Sequence, residues 1–182
     1  MASSGPTAGV FLRSGRASQG QARFAADVDA WVQQTKARMD AVFRTATLRL
    51  IQLMQTPGSY VPLDTGALRA SLVVVVNGPP PQPREEEPKH PTTTWDESMV
   101  ISTIATAHAG DVITAAYTTA YARRLEYGFV GQDSLGRNIN QAGLGWTRRA
   151  AQQWPRLVEE AARDAQAAVA ANQAGQNRPR RR

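Results

Sequence analysis

From Phe24 onward, one series of positions recurs at spacings of three and four: Phe24, Val28, Trp31, Thr35, Met39, Val42, Ala46, Leu50 and Leu53. With 3.6 residues per turn, that spacing puts every member on one stripe of an α-helix. Lys36, Arg38, Asp40, Arg44 and Arg49 fall mostly off the stripe. Thr56-Pro57-Gly58 ends the run, because proline disfavours helix in the residue before it and glycine permits a turn. The predicted helix is about 30 residues, roughly 45 Å at 1.5 Å per residue. Such a stripe exceeds what one small domain can bury, so part of it is expected to pack against a neighbouring subunit.

The rest of the chain alternates short elements. Asp64 or Thr65 is placed to cap a helical turn running through Arg69. Leu72-Val73-Val74-Val75-Val76 reads as a strand, and its four valines suggest that both faces are covered. Residues 78–95 carry a proline-rich, partly acidic excursion that cannot build a helix or a central strand. Ser98–Thr106 and Asp111–Thr118 read as two strands joined at His108-Ala109-Gly110-Asp111, a predicted hairpin. A short helix closed by Gly128 follows. Residues 128–145 read as a glycine-bearing loop with few apolar anchors. A second long helix is predicted from Thr147 to Ala171, either kinked at Pro155 or with Pro155 in the first turn of its main part. Its buried side would be Leu157, Val158, Ala161, Ala162, Ala165, Ala168 and Val169. The fold class is therefore α+β: a long N-terminal helix, a small mainly antiparallel sheet, a long C-terminal helix and extended termini. Residues 1–22 are expected to form a flexible arm, 23–171 the domain, and 172–182 a basic tail.

Composition narrows the chemistry. The chain has no cysteine, which removes disulfides, thiol catalysis and cysteine-ligated zinc. The longest strongly apolar stretch, Leu72 to Val76, is far too short to span a bilayer, and the first residues lack a signal-like apolar run. A soluble protein made in the cytoplasm, with no membrane partner, is the expectation. The net charge of +6 lies in the ends: Arg13, Arg16 and Arg23 precede the first acid, and Arg178, Arg180, Arg181 and Arg182 follow the last. Setting those seven aside leaves 14 basic and 15 acidic residues. The terminal arginines are either solubilising anchors or contacts to DNA or an acidic partner.

Two stretches carry a resemblance. Val61-Pro62-Leu63-Asp64-Thr65-Gly66-Ala67-Leu68-Arg69-Ala70-Ser71 follows the long helix, and Tyr121-Ala122-Arg123-Arg124-Leu125-Glu126-Tyr127-Gly128 follows a strand. Gly145-Trp146 with Arg149-Ala150 then opens the closing helix. In this order they resemble the neck and tail-completion proteins of long-tailed phages, the head–tail joining and minor tail proteins. The resemblance implies a structural virion subunit that performs no covalent chemistry and needs no cofactor. It implies a homo-oligomeric ring at the head–tail junction or the top of the tail, contacting connector and tail proteins and leaving a path for double-stranded DNA. Such a subunit would be assembled in the host cytoplasm and found in the virion.

The residues also suggest roles directly. Asp64 is placed to accept the N–H groups of Ala67 or Leu68, Gly66 permits a tight approach, and Arg69 or Arg124 is placed to pair with Glu126. A ring, expected to be a hexamer, would draw on burial of Val28, Trp31, Val42 and Leu50. The arms, the excursion and the 128–145 loop would grip adjoining rings. Two other readings stay open. A DNA-binding module would use the basic ends. A retroviral-type aspartic protease would use Asp64-Thr65-Gly66, with Leu135-Gly136-Arg137-Asn138 echoing a later motif. Those proteases are nearly all-β, and here a long helix precedes the motif. His90 and His108 are the only histidines, and neither begins a His-Glu-x-x-His zinc motif.

Overall fold

The structure is a computed structural model that describes residues 17–58, 60–132 and 135–176. The expected arm up to residue 16 and the tail arginines Arg178, Arg180, Arg181 and Arg182 lie outside the described residues. The chain divides into two units, Met1–Ala37 and Arg38–Arg182.

The first helix, α1, runs Ala17–Met54, 38 residues. It begins earlier than the stripe does, because Ala17 to Ala22 contain only Gly20 against helix propensity. In the second unit its inward face is Ala46, Thr47, Ile51 and Met54, continued by Gln55, so of the predicted stripe Ala46 is buried while Val42, Leu50 and Leu53 are only half-buried. Then come α2 (Ala67–Ala70), β1 (Leu72–Val76), α3 (Glu97–Ala105), β2 (Ile113–Tyr117) and α4 (Ala122–Tyr127). The chain finishes with β3 (Gly128–Gln132), β4 (Asn138–Ala142), α5 (Trp146–Ala151) and α6 (Trp154–Gln176). The α+β class and the long bracketing helices are as the pattern predicts.

Three expectations are corrected. Ser98–Thr106 is not a strand. It is helix α3, capped by Asp96, whose Oδ1 accepts the Met99 N–H at 3.0 Å. Val100 and Ile104, read as alternating strand positions, are also four apart and share the buried helical face. The hairpin across His108–Asp111 is therefore absent. The turn itself is present, Asp111 donating its N–H to His108 O at 3.0 Å, and it joins α3 to β2. β2 pairs instead with β1, antiparallel, with Leu72 opposite Tyr117 and Val74 opposite Ala115. These four pack toward a core of Ile51, Val100 and Ile104. The other face is covered only in part: Val73 is exposed while Val75, Thr114 and Ala116 are half-buried, so the valine run is less enclosed than its composition suggests. The third correction concerns residues 128–145, which form a second two-stranded antiparallel sheet from β3 and β4.

The proline-rich excursion leads to α3 rather than to a strand, and it is tied down. Arg84 donates its N–H to Thr118 O at 2.7 Å, and Glu87 Oε1 accepts the Ala120 N–H at 2.7 Å. Pro155 lies in the first turn of α6, where its missing N–H breaks no hydrogen bond. Leu157 and Ala161 are buried, Val158, Ala162, Ala165 and Val169 half-buried, and Ala168 exposed. Asp164 on α6 accepts from Arg49 on α1 at 2.6 Å. The basic tail expected from residue 172 continues as helix through Gln176.

Candidate functional site

The two motifs converge. Val61 and Leu68 from the first, Ala122 from the second and Trp146 from the start of α5 form one buried cluster. Tyr60, Tyr117, Tyr121 and Leu125 pack around it. The Tyr117 ring meets Trp146 edge-on at 5.5 Å between centroids, a favoured aromatic geometry. Burial pushes the Tyr117 hydroxyl up to about 12. That hydroxyl donates to Oε1 of Gln55 at 3.2 Å, while Gln55 Nε2 donates to Arg69 O at 2.9 Å. Gln55 thereby links the end of α1, α2 and β2. Nothing in the periodicity singles it out.

In the Asp64-Thr65-Gly66 turn the close approach is present. Gly66 has φ +90°, and a Cβ there would stand 2.6 Å from Thr93 O at the returning end of the excursion. The proposed role for Asp64 is corrected: the Ala67 N–H reaches Thr65 Oγ1 at 3.4 Å, and Asp64 is exposed. Arg69 does not pair with Glu126. Its guanidinium lies 6.0 Å from the Trp95 ring centroid.

Glu126 has a different partner from the one expected. Arg124 stacks over Phe129 at 4.4 Å. The Glu126 carboxylate, 6 % exposed, accepts from Thr147 N at 3.1 Å, Arg148 N at 3.2 Å and Thr147 Oγ1 at 2.5 Å. It thus caps α5, whose own N-cap residue, Gly145, offers no side chain. Two backbones cross beside it. Leu144 and Gly145 donate N–H groups to Leu125 O and Glu126 O at 2.8 and 3.0 Å. A Cβ on Gly143 would lie 2.5 Å from Glu126 O, and one on Gly128 2.6 Å from Gln141 O. Glycine at both positions is what lets the chains touch.

Other residues face outward. Tyr127 is 67 % exposed, although it sits within the motif. In the first unit Phe24, Val28 and Trp31 are 72 %, 40 % and 65 % exposed, on one helical stripe. Of the other expected interface residues, Val42 and Leu50 are half-buried within the second unit and so serve its fold at least in part. Among the described residues, no three His, Asp or Glu side chains group to hold a metal ion, and no helix is long and apolar enough to cross a membrane. Comparison of the chain with protein-family models, with curated proteins and with solved structures finds no match.

Proposed function

We propose that this chain is a structural subunit of a tailed-phage virion, not an enzyme, that assembles into a ring at the head–tail junction or the top of the tail. The ring joins head to tail and leaves an axial path for double-stranded DNA. Its neighbours are connector and tail proteins, and it needs no cofactor. The reading rests on the resemblance of the two motifs, and the convergence of Val61, Leu68, Ala122 and Trp146 in one cluster gives those motifs a shared physical purpose. Asp64-Thr65-Gly66 leads from a long helix into a four-residue helix, a setting unlike the strand-framed turn of an aspartic protease.

The single observation that carries the assembly is the exposed stripe of Phe24, Val28 and Trp31. In proteins most helical stability comes from packing of an apolar face, so this stripe stabilises its helix only when covered. Burying such side chains contributes about 1.5–3 kcal/mol each, so a second copy laid along the stripe gains several kcal/mol. Native mass measurement of the full chain tests this. The expected result is a closed oligomer, six copies in this proposal, that F24S/W31S converts to single copies with unchanged circular dichroism. A wild-type chain that remains a single copy at high concentration overturns the ring.

A further inference from the structure

The near-neutral body hides a lopsided distribution. Residues 119–158 hold six arginines against two acids, Glu126 and Asp133. Glu126 is withdrawn from the surface, its carboxylate spent on the start of α5. Three of the arginines gather around exposed Tyr127. Arg123 and Arg124 on α4 line a cleft of about 720 Å3 together with Tyr127, Gly128 and Phe129. Arg148 on α5 reaches the same tyrosine, its guanidinium 5.8 Å from the ring centroid. All three arginines are exposed, and among the described residues no carboxylate lies within ion-pair distance of them. Glu87 of the excursion is engaged by the Ala120 N–H and by Arg84 at 3.9 Å.

We propose that Arg123, Arg124 and Arg148, with Tyr127 between them, form a face that grips the phosphodiester backbone of double-stranded DNA. The inference deepens the ring reading, on which it rests, by naming the part of the subunit turned toward the DNA. It assigns that contact to the folded body rather than to the terminal arginines. The chemistry fits phosphate. A guanidinium presents a planar fork of donors to phosphate oxygens, and stacking on a ring fixes its plane in advance, so less freedom is lost on binding. Arg124 over Phe129 and Arg148 over Tyr127 are held in this way. The hydroxyl of exposed Tyr127 adds a neutral donor beside them. Unpaired cations on a folded surface also release counterions when they meet a polyanion, which gives affinity without base reading.

The test is anisotropy of a labelled random-sequence duplex titrated with the full chain from 50 to 200 mM salt. Four proteins are compared: wild type, R123Q/R124Q/R148Q, R123K/R124K/R148K and the tail variant R178Q/R180Q/R181Q/R182Q. The glutamine triple is expected to lose about tenfold or more in affinity at 50 mM salt, and its salt slope to fall by roughly two to three, near 0.9 for each phosphate no longer neutralised. The lysine triple, which keeps the charge, retains most of the binding, and native mass shows both triples in the wild-type oligomeric state. Wild-type binding by the glutamine triple, with weakening confined to the tail variant, overturns the proposal. So does equal displacement of the duplex by polyglutamate at matched charge, which assigns the face to an acidic protein. A ring that forms without binding DNA defeats this inference alone. A single copy that binds DNA through these arginines defeats the ring reading alone.

Discussion

Replacing Glu126 is the sharpest perturbation of the motif core. Its carboxylate accepts three hydrogen bonds at the start of α5, from Thr147 N, Arg148 N and Thr147 Oγ1. Hydrogen bonds to a charged acceptor contribute about 1.5–3 kcal/mol each, but neighbouring bonds to one group do not add in full. An anion at a partly buried helix N-terminus contributes up to about 2 kcal/mol. Glu126→Gln keeps the shape and one acceptor oxygen, loses the charge and turns an NH2 toward donors, so we expect a loss of about 2–3 kcal/mol. Glu126→Ala also strands the buried donors and opens a small cavity, for about 3–5 kcal/mol. At this chain length roughly 2–4 °C accompany each kcal/mol, so Glu126→Gln should lower Tm by about 5–10 °C. The assay is urea unfolding followed by circular dichroism at one fixed protein concentration, since association would shift apparent stability. Thr147→Val should cost about 1 kcal/mol alone and less in the Glu126→Gln background, because the hydroxyl then has lost its charged partner. Arg124→Ala separates the cap from the ion pair. It should cost under about 1 kcal/mol, since Arg124 stacks on Phe129 and leaves Glu126 alone. If Glu126→Gln unfolds within 0.5 kcal/mol of wild type (about the scatter of surface substitutions), or Arg124→Ala matches it, the capping argument is wrong.

Other outcomes follow from the same geometry. Gly66→Ala should cost about 2–4 kcal/mol, combining left-handed backbone strain with the close approach to Thr93 O, whereas Gly58→Ala, at φ +72° in open space, should cost about 1 kcal/mol. Equal destabilisation in urea melts would show that the approach to Thr93 costs nothing. Tyr117 supplies a pH dependence: its folded hydroxyl is pushed up to about 12 by burial, while the unfolded one ionises near 10. The stabilisation it confers is complete below pH 10 and is lost as pH rises through 12, amounting at most to about 3 kcal/mol. Unfolding at pH 8, 10 and 11.5 should show a flatter alkaline decline for Tyr117→Phe, and parallel curves would exclude the mechanism. Asp96 caps α3, and the hydroxyl of Ser98 together with the Met99 N–H holds its carboxyl below the usual range, so Asp96→Ala should shorten α3 and lower Tm by a few degrees in a thermal melt.

What is legible in the chain follows from local periodicity. The stripe from Phe24 to Leu53 marks α1 because each member repeats within one or two turns, and Pro57-Gly58 marks its end. Gly66 is legible because a glycine flanked by a turn-forming Asp-Thr pair has few other uses. α3 misleads because Val100, Ser102, Ile104 and Thr106 satisfy a period of two, and valine, isoleucine and threonine are β-branched and favour strands. The deciding signal is Asp96 followed by Glu97, a helix start that the alternation masks. The pairing of β1 with β2 spans more than 35 residues of intervening chain, a distance over which no turn signal operates. β3 and β4 carry glycine, glutamine and asparagine instead of apolar alternation. Their pairing owes more to the crossing at their base than to propensity. The cap on α5 escapes notice for a related reason. Gly145 gives that helix no acceptor of its own, which implies an outside acceptor, but the sequence does not say that Glu126 folds back to supply it.

The glycine crossing at Gly128 and Gly143 has a further consequence. The ribbon between them leaves and rejoins the body at a single point, like a hoop held by its clasp. Changes in its length or composition beyond the clasp are insulated from the aromatic cluster behind it. A lineage could exchange much of that ribbon and keep the fold of the body intact, provided two residues without side chains stay at the fastening.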